Sequence, residues 1–226
     1  RKNILCCLRV LEFSHSLVRF ALGDILESDH RKVSNKFEKD ALTITKMTNG
    51  DHTIANYLQE QSKHIDDMTV YVTGHSQGGG LAPMVQGHIL AQSKHWENSG
   101  ARVIQGYTFA GPTSGNPAFA KYVDESLTLF RVVNPYDIVP FGYASLRDII
   151  RQSVPAKVPL WARTIICSAR WYLKWIGRWQ QPMANAKPLK KEREPKKASW
   201  FGQVEYQHGH NTYLSLLGAP QVKLPT

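Results

Sequence analysis

Along the 226-residue chain, apolar and polar positions fall into blocks whose periods switch between helix and strand. Residues 4–26 place Leu8, Leu11, Leu17, Val18, Leu22 and Ile25 at mixed helical spacing and predict one helix. Residues 27–50 are polar and charged, and Asn49-Gly50 marks a turn. A second helix is expected over 52–65, with Ile54, Tyr57, Leu58 and Ile65 inward and Asp51 as its cap. Thr69-Val70-Tyr71-Val72-Thr73 is short, β-branched and bounded by Gly74, the pattern of a buried parallel strand. A helix over 77–95 follows, loosened early by Pro83. Strands over 102–109 and 127–133 enclose a helix over 117–126. Alternation of this kind implies an α/β fold, a mostly parallel sheet with helices on both faces. Near the end, 200–206 reads as a strand and 211–217 as the start of a helix.

One block breaks the pattern. On a helical wheel, VPLWARTIICSARWYLKWIGRW (158–179) gathers Arg163, Arg170 and Lys174 within about 40°. Trp161, Ile165, Tyr172, Trp175, Ile176 and Trp179 lie on the other side. A tryptophan-rich face opposite a basic one suits the boundary of an anionic bilayer, while the charges argue against a membrane span. The competing reading is an ordinary helix that packs its aromatic side on the domain. Residues 187–199, KPLKKEREPKKAS, are expected to form a solvated tether. The whole stretch 141–199 is thus a lid-like or membrane-facing insertion in a single domain spanning 1–226.

Charge sharpens the choice of partner. A net charge of +10 and a pI near 9.6 favour anionic surfaces, nucleic acid or acidic lipid. No nucleic-acid motif with interleaved aromatics is present, so a peripheral contact with lipid is the expected partner. Cys6, Cys7 and Cys167 form neither a disulfide framework nor a metal-binding spacing, so reduced thiols and no metal are expected. No signal peptide is legible. The chain starts at Arg1 without a methionine, and an upstream segment is expected. Integral membrane insertion is not expected, leaving a cytoplasmic or a secreted protein, and the oligomeric state is not legible.

The candidate chemistry centres on VTGHSQGGGLAP (72–83), where Gly74, His75, Ser76, Gln77 and Gly78 spell G-x-S-x-G. Such a serine gains reach when a strand turns sharply into a helix, and the predicted elements place Ser76 at that junction. The plainer reading is a glycine-rich structural turn. A serine hydroxyl needs a base, and the base needs an orienting carboxylate. Asp137 follows the third of these strands, at the sheet end where α/β sites gather, though an Asx turn also explains it. Asp124 precedes that strand and belongs to the wrong end. Only His208 and His210 lie beyond Asp137 in the chain, and spacing alone does not separate them.

Four stretches together resemble the class 3 lipases of the α/β-hydrolase fold: VTGHSQGGGLA, YTFAGPTSGNPAFA (107–120), RVVNPYDIVP (131–140) and HGHNTYLSLLG (208–218). The resemblance implies a serine ester hydrolase of lipid esters, of triacylglycerol lipase type, that needs no cofactor. It implies Ser76 as nucleophile, Asp137 as orienter and His210 as base, because His210 stands three residues before Tyr213 in an H-x-x-Y segment. The backbone N–H of Gln77 is one expected oxyanion donor. The family's R-G-[ST]-like turn, which supplies the second, is not found in residues 1–69, and that donor is expected before Arg1. Two alternatives accompany this reading: a phospholipase acting on anionic membrane lipids, and a non-catalytic membrane-surface module with a degenerate hydrolase fold.

Overall fold

The structure is a computed structural model that describes residues 2–8, 31–94, 96, 103–153, 157–176, 184–190 and 199–222. Its centre is a five-stranded, all-parallel sheet in the order β1-β4-β5-β6-β7. The strands are β1 (Lys2–Leu8), β4 (Met68–His75), β5 (Val103–Phe109), β6 (Thr128–Val133) and β7 (Ala186–Pro188). A small hairpin, β2 (Thr48–Asn49) with β3 (His52–Thr53), turns at Gly50, whose φ of 60° suits glycine.

Helix α1 (Asn35–Lys46) and helix α2 (Ile54–Ser62) precede β4, and α3 (Gln77–Ser93) and α4 (Pro117–Ser126) cross over between the next strands. Alternation along β4 sends Val70 and Val72 toward α3, where they pack with Ala82, Val85 and Ile89. Burying each of these valine and isoleucine side chains stabilises the fold by roughly 1.5–3 kcal/mol. The opposite sheet face carries the neighbouring rings of Tyr71, Tyr107 and Phe130. On that face Phe109 meets Tyr213 edge to face. Helices α5 (Leu160–Ile176), α6 (Trp200–His208) and α7 (His210–Leu216) complete the chain.

The three central strands β4, β5 and β6 and the helices α2, α3 and α4 stand where periodicity placed them. Five local expectations are corrected. Residues expected to open a helix over 4–26 instead form β1; the rest of that stretch lies outside the described residues. The polar stretch 27–50 contains α1, which buries Phe37, Ala41 and Thr45 at i, i+4 and i+8. The cap of α2 is Thr53, not Asp51: its hydroxyl accepts the Asn56 N–H at 3.2 Å. The expected strand over 200–206 is helix α6, because burial of Gln203 and Gln207, four residues apart, follows a helical period. Within the insertion, Ala186–Pro188 joins the sheet beside β6, so part of the expected tether is strand.

On α5 the domain-facing stripe is Ala162, Ile166, Ala169 and Leu173, with Ala162 and Leu173 buried. Leu160, Trp161, Ile165, Trp171 and Tyr172 are exposed, and of these Trp161 also meets the rings of Trp200 and Phe201 on α6. Lys174 and Trp175 belong to the last turn of α5, and Trp179 lies outside the described residues. No helix among the described residues is long and apolar enough to cross a membrane.

Candidate active site

The turn from β4 into α3 is tight. Ser76 sits between them at φ 57°, ψ −123°, a region rarely visited by residues other than glycine. Two backbone bonds hold it there: its N–H donates to the Phe109 carbonyl on β5 at 2.9 Å, and its carbonyl accepts the Gly80 N–H at 3.2 Å. The turn also requires Gly74, because a Cβ there would lie 2.2 Å from the Gly78 carbonyl oxygen. Ser76 caps no helical N–H with its side chain, so its hydroxyl is left for another partner.

That partner is His208. Its Nε2 lies 2.9 Å from Ser76 Oγ, and its Nδ1 lies 2.9 and 3.0 Å from the two oxygens of Asp137. The expected placement of His210 at this position is therefore corrected: His210 turns away, its Nε2 3.4 Å from the Val222 carbonyl. The cause is the break between α6 and α7. His208 is the last residue of α6, Gly209 leaves helical geometry (φ −60°, ψ 138°), and His210 opens a new helix. The H-x-x-Y spacing points to His210, but Tyr213 donates its O–H to Asp137 and the imidazole that faces Ser76 is that of His208.

Asp137 is fully buried immediately beyond β6. It accepts the Tyr213 O–H at 2.9 Å and the Val139 N–H at 2.9 Å, in addition to its contact with His208. A carboxylate at Nδ1 stabilises the tautomer with its proton there and leaves Nε2 free to accept the serine proton. Tyr213 in turn accepts the Asn134 N–H at 3.1 Å, and burial, then the charge of Asp137, raises its phenol well above the usual value. Asn134 donates from Nδ2 to the carbonyl and the side-chain oxygen of Gln207, the residue before His208. A buried polar network thus joins the acid loop to the end of α6.

His75, the second residue of G-x-S-x-G, ties the elbow to the same helix end. Its Nε2 donates to the His208 carbonyl at 3.0 Å, and its ring lies 5.0 Å from that of His208 and edge-on to Tyr213. Burial, then the neighbouring His208, lowers His75 to about 4, so it is neutral near neutral pH. The backbone N–H of Gln77, the first of α3, has no carbonyl partner within its helix. Its side chain donates to Asp40 of α1 at 2.6 Å, clasping the elbow from outside the sheet. Gly78 follows within the first turn. On the far side, β1 runs parallel to β4 with Leu8 level with Gly74. No second oxyanion donor is assigned among the described residues.

Sequence reasoning missed Asp40, which lies in the stretch read only as polar and charged; the spacing of Phe37, Ala41 and Thr45 was the available signal. Asn134 and Tyr213 stood inside recognised stretches, but their hydrogen bonds depend on how the acid loop meets α6.

A parallel sheet with a serine on a strained turn at the carboxyl end of one strand is the architecture of the α/β-hydrolases. The crystal structure of M37 lipase superimposes with a TM-score of 0.71 at 26% identity, over 88% of this chain and 62% of that one. Residues 16–144, more than half of the sequence, match the family described as Lipase (class 3), and the chain belongs to that family. A lipase of Caenorhabditis elegans is 32% identical over 124 residues, 52% of this chain and 33% of that protein. The chloroplastic phospholipase A1-Igamma2 of Arabidopsis thaliana is 35% identical over 77 residues, 33% of this chain and 14% of that protein. The chain thus spans about a third of the length of the first relative.

Proposed function

We propose that the protein is a serine hydrolase of lipid esters, with Ser76 as nucleophile, His208 as base and Asp137 as the orienting acid. The observation that carries this reading is the continuous relay from Ser76 Oγ through the His208 ring to Asp137. Ser76 Oγ attacks the acyl carbonyl as its proton passes to His208 Nε2, and the carbonyl oxygen becomes an oxyanion facing the Gln77 N–H. Collapse of the tetrahedral intermediate breaks the ester C–O bond. The leaving alkoxide takes the proton from Nε2, and the acyl group stays on Ser76. Water, deprotonated by the same nitrogen, attacks the acyl-enzyme; Nε2 then returns its proton to Ser76 Oγ as the acid departs. Asp137 keeps its charge throughout and stabilises the imidazolium formed in each half.

Two measurements test this. A fluorophosphonate probe should label the wild-type protein and not Ser76→Ala, since only an activated serine reacts. On a soluble p-nitrophenyl ester, His208→Ala should lose activity by at least about 10³-fold, whereas His210→Ala should retain most of it. The reverse pattern would transfer the base to His210. An unlabelled wild type would favour the non-catalytic module.

A second reading, hydrolysis of phospholipids rather than neutral glycerides, is favoured by the match to a phospholipase A1 and by the basic insertion. Release of fatty acid from phosphatidylglycerol compared with triacylglycerol, each with Ser76→Ala as blank, separates the two.

A further inference from the structure

Helix α5 presents to solvent what a buried helix would hide. With about 100° per residue, Ala162, Ile166, Ala169 and Leu173 fall within roughly 60° and face the domain. Away from them, Leu160 is 80% exposed, Trp171 72%, Ile165 59% and Trp161 53%. Trp161 also stacks on Phe201 of α6, ring centroids 5.6 Å apart, and Phe201 is itself exposed. The apolar face therefore continues from one helix onto the next. Arg163 and Arg170, both exposed, fall on the flank between the buried stripe and this outer face. From 149 to 191 the sequence contains Lys and Arg but no Asp or Glu.

We infer that this α5–α6 face docks the protein onto an anionic bilayer, with Leu160, Trp161, Ile165 and Trp171 entering the headgroup–acyl boundary while Arg163 and Arg170 meet the lipid phosphates. Three features select this occupant. Tryptophan and tyrosine, apolar in body and polar at one edge, suit the interfacial layer. On α5 the exposed apolar side chains are flanked by Arg163 and Arg170 with no carboxylate on the helix, which complements a negative surface; on α6 the exposed Glu205, one turn beyond Phe201, marks the edge of the face. A second copy of the chain is disfavoured, because the facing patch would carry the same positive charge on a molecule of net charge +10. The inference rests on the lipid-ester reading for its purpose, since docking brings the hydrolase to its substrate phase. Helix α6 takes part at both ends: Phe201 near its start joins the docking face, and His208 at its end meets Ser76.

The test uses the full chain with Ser76→Ala, so that the lipid survives, and co-sedimentation with vesicles of phosphatidylcholine with or without phosphatidylglycerol. Binding should be at least tenfold tighter to the anionic vesicles and should weaken as salt screens the headgroups. Each basic residue near such a surface contributes roughly fivefold, so Arg163→Gln with Arg170→Gln should lower anionic binding by about 25-fold. Ile165→Ser with Trp171→Ser should lower it on either vesicle type. In the Ser76 parent, both pairs of substitutions should leave turnover of a soluble short-chain ester unchanged, which separates failure of docking from failure of the site. Equal binding to both vesicle types, no binding to either, or binding unaffected by both pairs would overturn the inference. So would concentration-dependent self-association abolished by Ile165→Ser/Trp171→Ser, which would assign the face to a second copy.

Discussion

Asp137 shows how much of the proposed site is spent on holding one charge in place. A buried carboxylate is costly unless its lone pairs are met, and here a phenol, a backbone N–H and an imidazole meet them. Tyr213 does double duty, donating to Asp137 and accepting from the Asn134 N–H. Tyr213→Phe keeps the ring that packs on Phe109 but leaves that N–H without its acceptor and Asp137 with one donor fewer. Stability should fall by about 1–3 kcal/mol. Turnover of a soluble ester should fall with it while KM stays nearly constant, because the orientation of His208 loosens and substrate contacts do not. Urea denaturation and steady-state kinetics measure the two effects. Unchanged turnover in a destabilised Tyr213→Phe protein would make the tyrosine a packing residue only.

At the scale of elements, the tight β4–α3 turn depends on the absence of one methyl group. Gly74→Ala would drive a Cβ to 2.2 Å from the Gly78 carbonyl, backbone against backbone, with no side chain free to yield. The expected cost is at least about 1–3 kcal/mol, the range for forced overpacking, read as a lower urea midpoint. Any folded fraction should also react more slowly with a fluorophosphonate. An unshifted midpoint would mean that the turn relaxes freely. This element was legible in the sequence because its signals coincide: a β-branched strand, closely spaced glycines and an apolar helix, all local. Helix α1 was not, since the i, i+4 spacing of Phe37 and Ala41 is embedded among Lys, Glu and Asp and stands out only once they pack with Leu81 of α3. Helix α6 was misread for a different reason. Its aromatic and β-branched residues favour a strand locally, yet Gln203 and Gln207 must share one buried face, and that demand arises only when the acid loop is in place. The choice between His208 and His210 depended on the same helix. Where α6 stops could not be read from residues whose local preference pointed to another structure.

For the molecule as a whole, the crowding of ionisable rings at the elbow sets a dependence of stability on pH. His75 lies between the turn, the His208 ring and Tyr213, and burial with the nearby imidazole lowers it to about 4 from an ordinary 6.5. The unfolded chain therefore takes up this proton near pH 6.5 while the folded protein resists until about pH 4. The stability associated with neutral His75 is fully present above pH 6.5, declines as pH falls through that window and is exhausted below about 4. Its size is about 3 kcal/mol, large against the 5–15 kcal/mol typical of a domain. Other groups titrate in the same window, so the comparison must be differential. His75→Gln retains an amide donor toward the His208 carbonyl but has no proton to gain. Between pH 7 and pH 4.5, wild type should lose about 2–3 kcal/mol more unfolding free energy than His75→Gln, both measured in urea. The variant starts lower at pH 7, because it fills the ring's place less well, and the two curves should converge toward acid. Parallel curves would mean that His75 is protonated as readily in the folded protein as in the unfolded chain. In that case a second imidazolium could form beside the His208 ring, against the proposed role of His208 in taking up the serine proton.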